Sequence, residues 1–173
     1  WDFIFEANRP PVFASGQYME WTLGHKDPDS RGNRRYFTLA SAPTERDIRL
    51  GVKFYPQSSS FKQSLLAMTP DTDIVAGQLA GDFTLPDDPN KKLVFIAGGI
   101  GITPYRSMIK YLLDVHQRRD ITVFYANKTM NDIVYSDVLD RARHELGIRT
   151  VYLCTDISRL PMTWNGRVGY LSA

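Results

Sequence analysis

Apolar residues follow two different rhythms along this chain, and the change falls near residue 86. Before it, the segments 2–6, 16–23, 35–41, 48–54 and 73–79 are rich in aromatic and β-branched residues, separated by clusters of Gly, Pro, Asp and Asn. That spacing predicts short antiparallel strands in a small barrel or sandwich. One helix interrupts them. Ser60 is expected to cap it, and Phe61, Leu65, Leu66 and Met68 give it an apolar face. The stretch Leu85-Pro86-Asp87-Asp88-Pro89-Asn90 has two prolines and no apolar period, so it reads as a linker.

After the linker, Leu93-Val94-Phe95-Ile96-Ala97 is a continuous apolar run, which predicts a strand buried on both faces. A glycine turn follows, then a helix from about Pro104 to Gln117 with Tyr105, Met108, Ile109, Leu112 and Leu113 on one stripe. A strand at 121–126, a helix near 136–146 and a strand at 149–154 complete the pattern. Alternating strands and helices predict a doubly wound parallel sheet. The expected organisation is therefore two domains, 1–88 and 91–173. The chain opens inside an alternating pattern at Trp1-Asp2-Phe3-Ile4-Phe5 and stops at Tyr170-Leu171-Ser172-Ala173 with a pattern still running. Truncation at both ends, and an incomplete second domain, are the expectation.

Composition narrows the function classes. With 43% hydrophobic and 23% charged residues the chain has the balance of an ordinary globular protein. A formal charge of +2, its basic residues interspersed with acids, argues against nucleic acid or a membrane surface as partner. No apolar run reaches the roughly 20 residues of a spanning helix. The single cysteine, Cys154, lies in the strand-like Val151-Tyr152-Leu153-Cys154, where a packed thiol is expected, and fits a reducing, cytoplasmic compartment. His25, His116 and His144 form no metal-spaced or triad-like set and are expected at the surface; no metal is assigned.

Three local sets carry chemistry. Gly98-Gly99-Ile100-Gly101-Ile102-Thr103-Pro104 joins a buried strand to a helix. Glycines let backbone pass close to a pyrophosphate, free N–H groups at a helix start meet its charge, and the Thr103 hydroxyl can donate to a phosphate oxygen. A tight turn that binds nothing has the same local sequence. The second set is Arg34-Arg35-Tyr36-Phe37-Thr38-Leu39-Ala40-Ser41. Arg35 and Phe37 alternate onto one face of a strand, where a guanidinium fork suits a pyrophosphate and an aromatic ring suits a flat heterocycle. Thr38 adds a hydroxyl able to bond a ring nitrogen. The third is Ser58-Ser59-Ser60-Phe61-Lys62 at the helix start, where hydroxyls and a lysine strengthen the pull on an anion.

Together these sets resemble the ferredoxin–NADP reductase superfamily. Arg35-Tyr36-Phe37-Thr38 is similar to its flavin signature, and Gly51-Val52-Lys53, the serine-led helix, Gly81-Asp82-Phe83 and the Gly98–Pro104 turn follow in the family's order. The resemblance implies an antiparallel β-barrel binding FAD, followed by a Rossmann-like nucleotide domain. It is nearest to bacterial reductase modules fused to membrane-embedded domains, which would place the module at a cytoplasmic membrane face through residues outside this chain. It implies that Arg35 holds flavin phosphate, that Tyr36 and Phe37 belong to the flavin strand with Phe37 along the ring system, and that Thr38 sits near the reactive nitrogen as the one residue in a catalytic role. Lys53 would line the flavin, Ser59, Ser60 and Phe61 would close the pyrophosphate site, and Gly99, Gly101 and Thr103 would take the nicotinamide nucleotide's phosphates. The family's fourth strand with a Cys-Gly-Pro motif and its terminal aromatic are missing from the sequence.

Hydride transfer from a nicotinamide to a flavin needs no general acid from the protein, because the cofactors carry the chemistry. The segment Ala126–Asp132 bears on which nicotinamide is used. Asp132 can accept from a ribose 2′-hydroxyl and repel a 2′-phosphate, while Lys128 acts in the opposite sense, so charge alone leaves the choice open; the resemblance places Asp132 where NADH-using members tend to carry an acid, and NADH rather than NADPH is the expectation. Three readings stand: an FAD-dependent NAD(P)H oxidoreductase module feeding an iron–sulfur, haem or membrane partner; an FAD-binding electron-transfer subunit without nicotinamide turnover; and a non-enzymatic nucleotide-sensing module.

Overall fold

The computed structural model describes residues 1–156, 158 and 160–170. Leu171–Ala173, where the expected continuing pattern falls, lie outside them. The first half contributes strands β1 (Asp2–Phe5), β2 (Tyr18–Thr22), β3 (Arg34–Thr38), β4 (Ile48–Gly51) and β5 (Val75–Ala80), with helix α1 (Ser60–Leu66) between the last two. The antiparallel strands form two sheets, β1-β4 and β3-β2-β5. Their inward residues, among them Met19, Trp21 and Leu50, together with Val52 just after β4, meet Phe61 and Leu65 of α1 in one core. The expected barrel is therefore not closed among the described residues. β1 and β5 each keep one unpaired edge, and a groove of about 830 Å³ runs between them, lined by Phe3, Phe5, Trp21, Leu65 and Ile74.

In the second half β6 (Leu93–Gly98), α2 (Thr103–Asp114), β7 (Ile121–Asn127), α3 (Ser136–Leu146), β8 (Arg149–Cys154) and β9 (Arg167–Val168) build a parallel four-stranded sheet in the order β6-β7-β8-β9. The expectation of three strands missed β9, whose two residues are too few to leave a periodic signal. The expectation of a doubly wound sheet needs correction as well. Among the described residues the strand order does not reverse, so both crossover helices pack on one face, over Phe95, Ala97, Val123 and Tyr125. Val94 and Ile96 on the other face are 62% and 61% exposed, so the apolar run of β6 is covered on one side only.

The linker is docked rather than loose. Leu85 packs on the second core, and Arg119 donates to the Pro86 carbonyl at 2.7 Å. The two halves also share polar contacts. Arg106 of α2, only 5% exposed, donates to the Ala40 carbonyl at 2.6 Å and holds both oxygens of Glu45 at 2.7 and 3.0 Å. Burial opposes ionisation of Glu45, but the Arg106 hydrogen bonds outweigh it and keep its carboxyl below the ordinary value. Ser107 donates to the Ser41 carbonyl beside it. No helix among the described residues is long and apolar enough to cross a membrane. Cys154 is buried, and that burial pushes its thiol pKa up.

Candidate functional site

Strand β3 divides its side chains between two environments. Arg35 and Phe37 point inward against Phe61. The guanidinium carbon of Arg35 lies 5.4 Å from the Phe61 ring centroid, and the Phe37 ring lies 5.9 Å from it. Tyr36 and Thr38 point outward, where they line a shallow cleft with Tyr18 of the neighbouring strand. Tyr18 is the register partner of Thr38, and its ring meets that of Tyr36 edge-on at 5.7 Å. The aromatic surface beside Thr38 is thus Tyr18 and Tyr36, while Phe37 is half-buried in the first core. Tyr18 escaped the sequence reading because only strand register brings it opposite Thr38.

Arg35 is 6% exposed, and its two terminal nitrogens bond within the chain. Nη2 donates to both carboxylate oxygens of Asp29 at 2.8 and 2.9 Å, and Nη1 lies within reach of the Arg31, Gly32 and Arg34 carbonyls. The Arg31 backbone N–H, supported by Arg35, keeps the Asp29 carboxyl below its ordinary value despite some burial. The serines are committed too. Ser59, not Ser60, caps α1, its hydroxyl accepting from the Lys62 backbone N–H. The expected cap was off by one because three consecutive serines offer the same side chain. The Ser60 hydroxyl instead accepts from the Asp29 backbone N–H at 3.0 Å and lies 3.0 Å from His25 Nε2. His25, expected at the surface, is half-buried for that reason, while His116 and His144 are exposed. Phe61 is fully buried. Lys62 donates to the Lys53 carbonyl at 2.6 Å, and desolvation lowers its pKa.

The glycine turn begins with a tight 3₁₀ turn, Gly99–Ile102, which leads directly into α2. Gly99 has φ of 50°, a left-handed conformation that favours glycine. A Cβ placed on Gly98, Gly99 or Gly101 would meet no atom within 4 Å, so the space above the turn is open. Thr103 is buried, and its methyl group faces the first half at Gly51. A Cβ on Gly51 would lie 2.7 Å from Thr103 Cγ2 and 3.3 Å from Ile100 Cδ1, and would also collide with the Tyr135 hydroxyl. Gly51 therefore lets the end of β4 lie directly against the phosphate-type turn.

Next to that contact Lys53 and Asp132 form an ion pair at 2.7 Å. The other oxygen of Asp132 accepts from the Thr129 backbone N–H and hydroxyl at 3.1 and 2.9 Å, closing a capping box on the short turn Met130–Asp132. The Lys53 hydrogen bond, against partial burial, holds the Asp132 carboxyl below its ordinary value. Two residues expected at separate ligands, Lys53 at a flavin and Asp132 at a ribose, are thus brought together. Tyr135, another residue the sequence did not mark, has φ of 60° and donates to the Asp2 carboxylate. Among the described residues no group of three His, Cys, Asp or Glu side chains could hold a metal ion.

Comparison with known proteins agrees with this architecture. The oxidoreductase NAD-binding domain family matches residues 95–173. NADH-cytochrome b5 reductase 2 of Debaryomyces hansenii is 33% identical over 177 residues, covering 98% of this chain and 57% of that protein. The glycine betaine monooxygenase reductase subunit of Chromohalobacter salexigens is 25% identical over 179 residues, covering 99% of the chain and 48% of the relative. Among solved structures, the Amycolatopsis cytochrome P450 reductase superimposes with a TM-score of 0.78 at 23% identity over 98% of this chain and 50% of its own. The cytochrome b5 reductase domain of Ulva prolifera nitrate reductase gives 0.75 at 22% identity, over 98% and 72%. The chain is thus similar in sequence to reductases along nearly its whole length and shares the fold of these reductase structures, and its second half matches the NAD-binding family. It spans about half the length of the curated relatives named here.

Proposed function

We propose that this chain is the FAD- and nicotinamide-binding module of an NAD(P)H oxidoreductase that passes electrons on to a redox partner. The observation that carries the reading is the contact at Gly51. The end of β4 lies against the open glycine turn of the second half, so in this reading a flavin and a nicotinamide nucleotide would be bound side by side. In this reading residues 1–88 hold FAD through Arg35, Tyr36, Phe37, Thr38, Lys53, Ser59, Ser60 and Phe61. Residues 91–173 take the nicotinamide nucleotide at Gly99, Gly101 and Thr103, with Asp132 beside it.

The cleft and the glycine turn fit these groups. The cleft of Tyr18, Tyr36 and Thr38 pairs an aromatic surface with a hydroxyl, as a flat heteroaromatic ring requires. The open space above Gly98–Gly101 and the start of α2 suit a phosphate group. Bound FAD would supply the hydride acceptor; the protein's part is to hold two rings at a fixed distance and exclude alternatives. NADH is the preferred donor in this reading, because Asp132 keeps a negative charge at the carboxyl end of β7. The relatives point to an oxygenase, haem or iron–sulfur protein as partner. The buried Cys154 thiol suits a cytoplasmic setting.

Incubating the purified chain with FAD, removing the excess, and adding NADH without oxygen tests the reading. The protein should stay yellow and then bleach. A colourless protein after FAD removal would overturn it.

A further inference from the structure

The Leu23–Asn33 connection between β2 and β3 is eleven residues long, although these neighbours are antiparallel and register-paired from Thr22 to Arg34. A hairpin of this kind usually needs only about two to five residues, and the surplus in compact domains tends to carry a task. Here it folds back onto Arg35. Asp29 places both carboxylate oxygens on Nη2 at 2.8 and 2.9 Å, and the Arg31 and Gly32 carbonyls approach Nη1 at 3.0 and 2.9 Å. The loop fastens itself in turn. The Asp29 carboxylate accepts from the Arg31 N–H, its carbonyl accepts from the Gly32 N–H at 2.7 Å, and its own N–H donates to Ser60 Oγ.

Arg35, at 6% exposure with the Asp29 carboxylate on Nη2, is therefore closed to an anion from solution. A guanidinium has five N–H groups. Nη1 meets backbone carbonyls of the chain, the Asp29 carboxylate sits against Nη2, and Nε is enclosed without a hydrogen-bond partner. A phosphate can reach the fork only by taking the place of the Asp29 carboxylate. We propose that Asp29 is a built-in competitor for the cofactor's pyrophosphate: its carboxylate occupies the Arg35 fork, and the 23–33 loop opens when a phosphate displaces it. The proposal rests on the FAD reading above. It makes FAD uptake an exchange of one anion for another at Arg35, with the loop's local hydrogen bonds setting the threshold.

The experiment is FAD binding followed by flavin fluorescence, at equilibrium and by stopped flow, for the wild-type chain, Asp29→Asn, Asp29→Glu and Arg35→Ala. Asn keeps an oxygen for the Arg31 N–H, so the turn survives while the charge on the fork is lost. Asp29→Asn should bind FAD about tenfold more tightly, the low end for losing one charged hydrogen-bonding competitor, and associate faster. Asp29→Glu keeps the charge and should remain near wild type. Arg35→Ala should bind weakly with or without the Asp29 change. If Asp29→Asn binds FAD no better than wild type while Arg35→Ala loses it, Asp29 positions the arginine and the competitor proposal falls. If wild type binds no FAD and neither Asp29→Asn nor Asp29→Glu restores it, the cofactor reading falls instead. Should Asp29→Asn not fold, Asp29→Ser answers the same question by the same readout.

Discussion

Asp132 shows how much a single side chain's role depends on its neighbours. Its carboxylate keeps one oxygen on Lys53 and the other on Thr129. If Asp132 lies beside the nucleotide's ribose as proposed, replacing it by Ser would remove a charge that repels a 2′-phosphate and would also release Lys53 to attract one. Both effects act in the same direction, so Asp132→Ser should narrow the kcat/KM gap between NADH and NADPH, chiefly by improving NADPH. Comparing both nucleotides in steady-state flavin reduction checks this. A wild-type protein already preferring NADPH would dispose of the NADH reading. Lys128, exposed beside the same turn, is the control: its removal should hurt NADPH more than NADH.

At the scale of elements, β6 is informative because its sequence and its burial disagree. An unbroken apolar run suggested cover on both faces, yet Leu93, Phe95 and Ala97 face the core while Val94 and Ile96 are exposed. Ile96→Thr keeps a β-branched side chain at an exposed position and should change stability by less than about 0.5 kcal/mol. Phe95→Ala removes a ring from the core and should cost about 3 kcal/mol. Urea unfolding of this chain measures both. Equal costs would mean that the outer face is packed as tightly as the inner one. Helix α1 teaches a similar lesson on a smaller scale, since its cap is Ser59 while Ser60 serves the 23–33 loop.

For the whole molecule the decisive contact is Arg106 with Glu45. A guanidinium with 5% exposure tolerates the interior only while its partner is charged and its donors are met. Glu45→Gln should therefore cost about 3 kcal/mol at neutral pH, the lower end for breaking a buried pair, since Glu45 itself is about one-fifth exposed. The sign with pH follows from the direction of the shift. Glu45 has a lowered pKa in the folded state, so its contribution is full above the ordinary value of 4.5 and is lost as pH falls through the lower folded value. The gap between wild type and variant should thus close in acid. Calorimetry should also show the single wild-type transition splitting, because Arg106 ties the core of α2 to the Ala40 carbonyl in the other half. An unsplit transition with unchanged midpoint would show that the halves are coupled elsewhere.

The sequence by itself determined the local grammar: the strands and helices other than β9, the glycine turn at the end of β6, and the spacing of Arg35, Thr38 and the serine-led helix. Periodicity, capping residues and glycine conformations are short-range properties, so they survive in one dimension. The tertiary structure alone decided strand register, which set Tyr18 opposite Thr38. It also decided the winding of the parallel sheet, and with it which face of β6 is covered. Above all it decided the partners of the charged groups. Arg35 meets Asp29 from a neighbouring loop, Lys53 meets Asp132 across 79 positions, and Arg106 meets Glu45 across 61. Complementary charges announce a need for partners but not which ones, because in the sequence every acid is available to every base. Only packing makes the choice, by bringing one pair within hydrogen-bonding distance and removing water from between them.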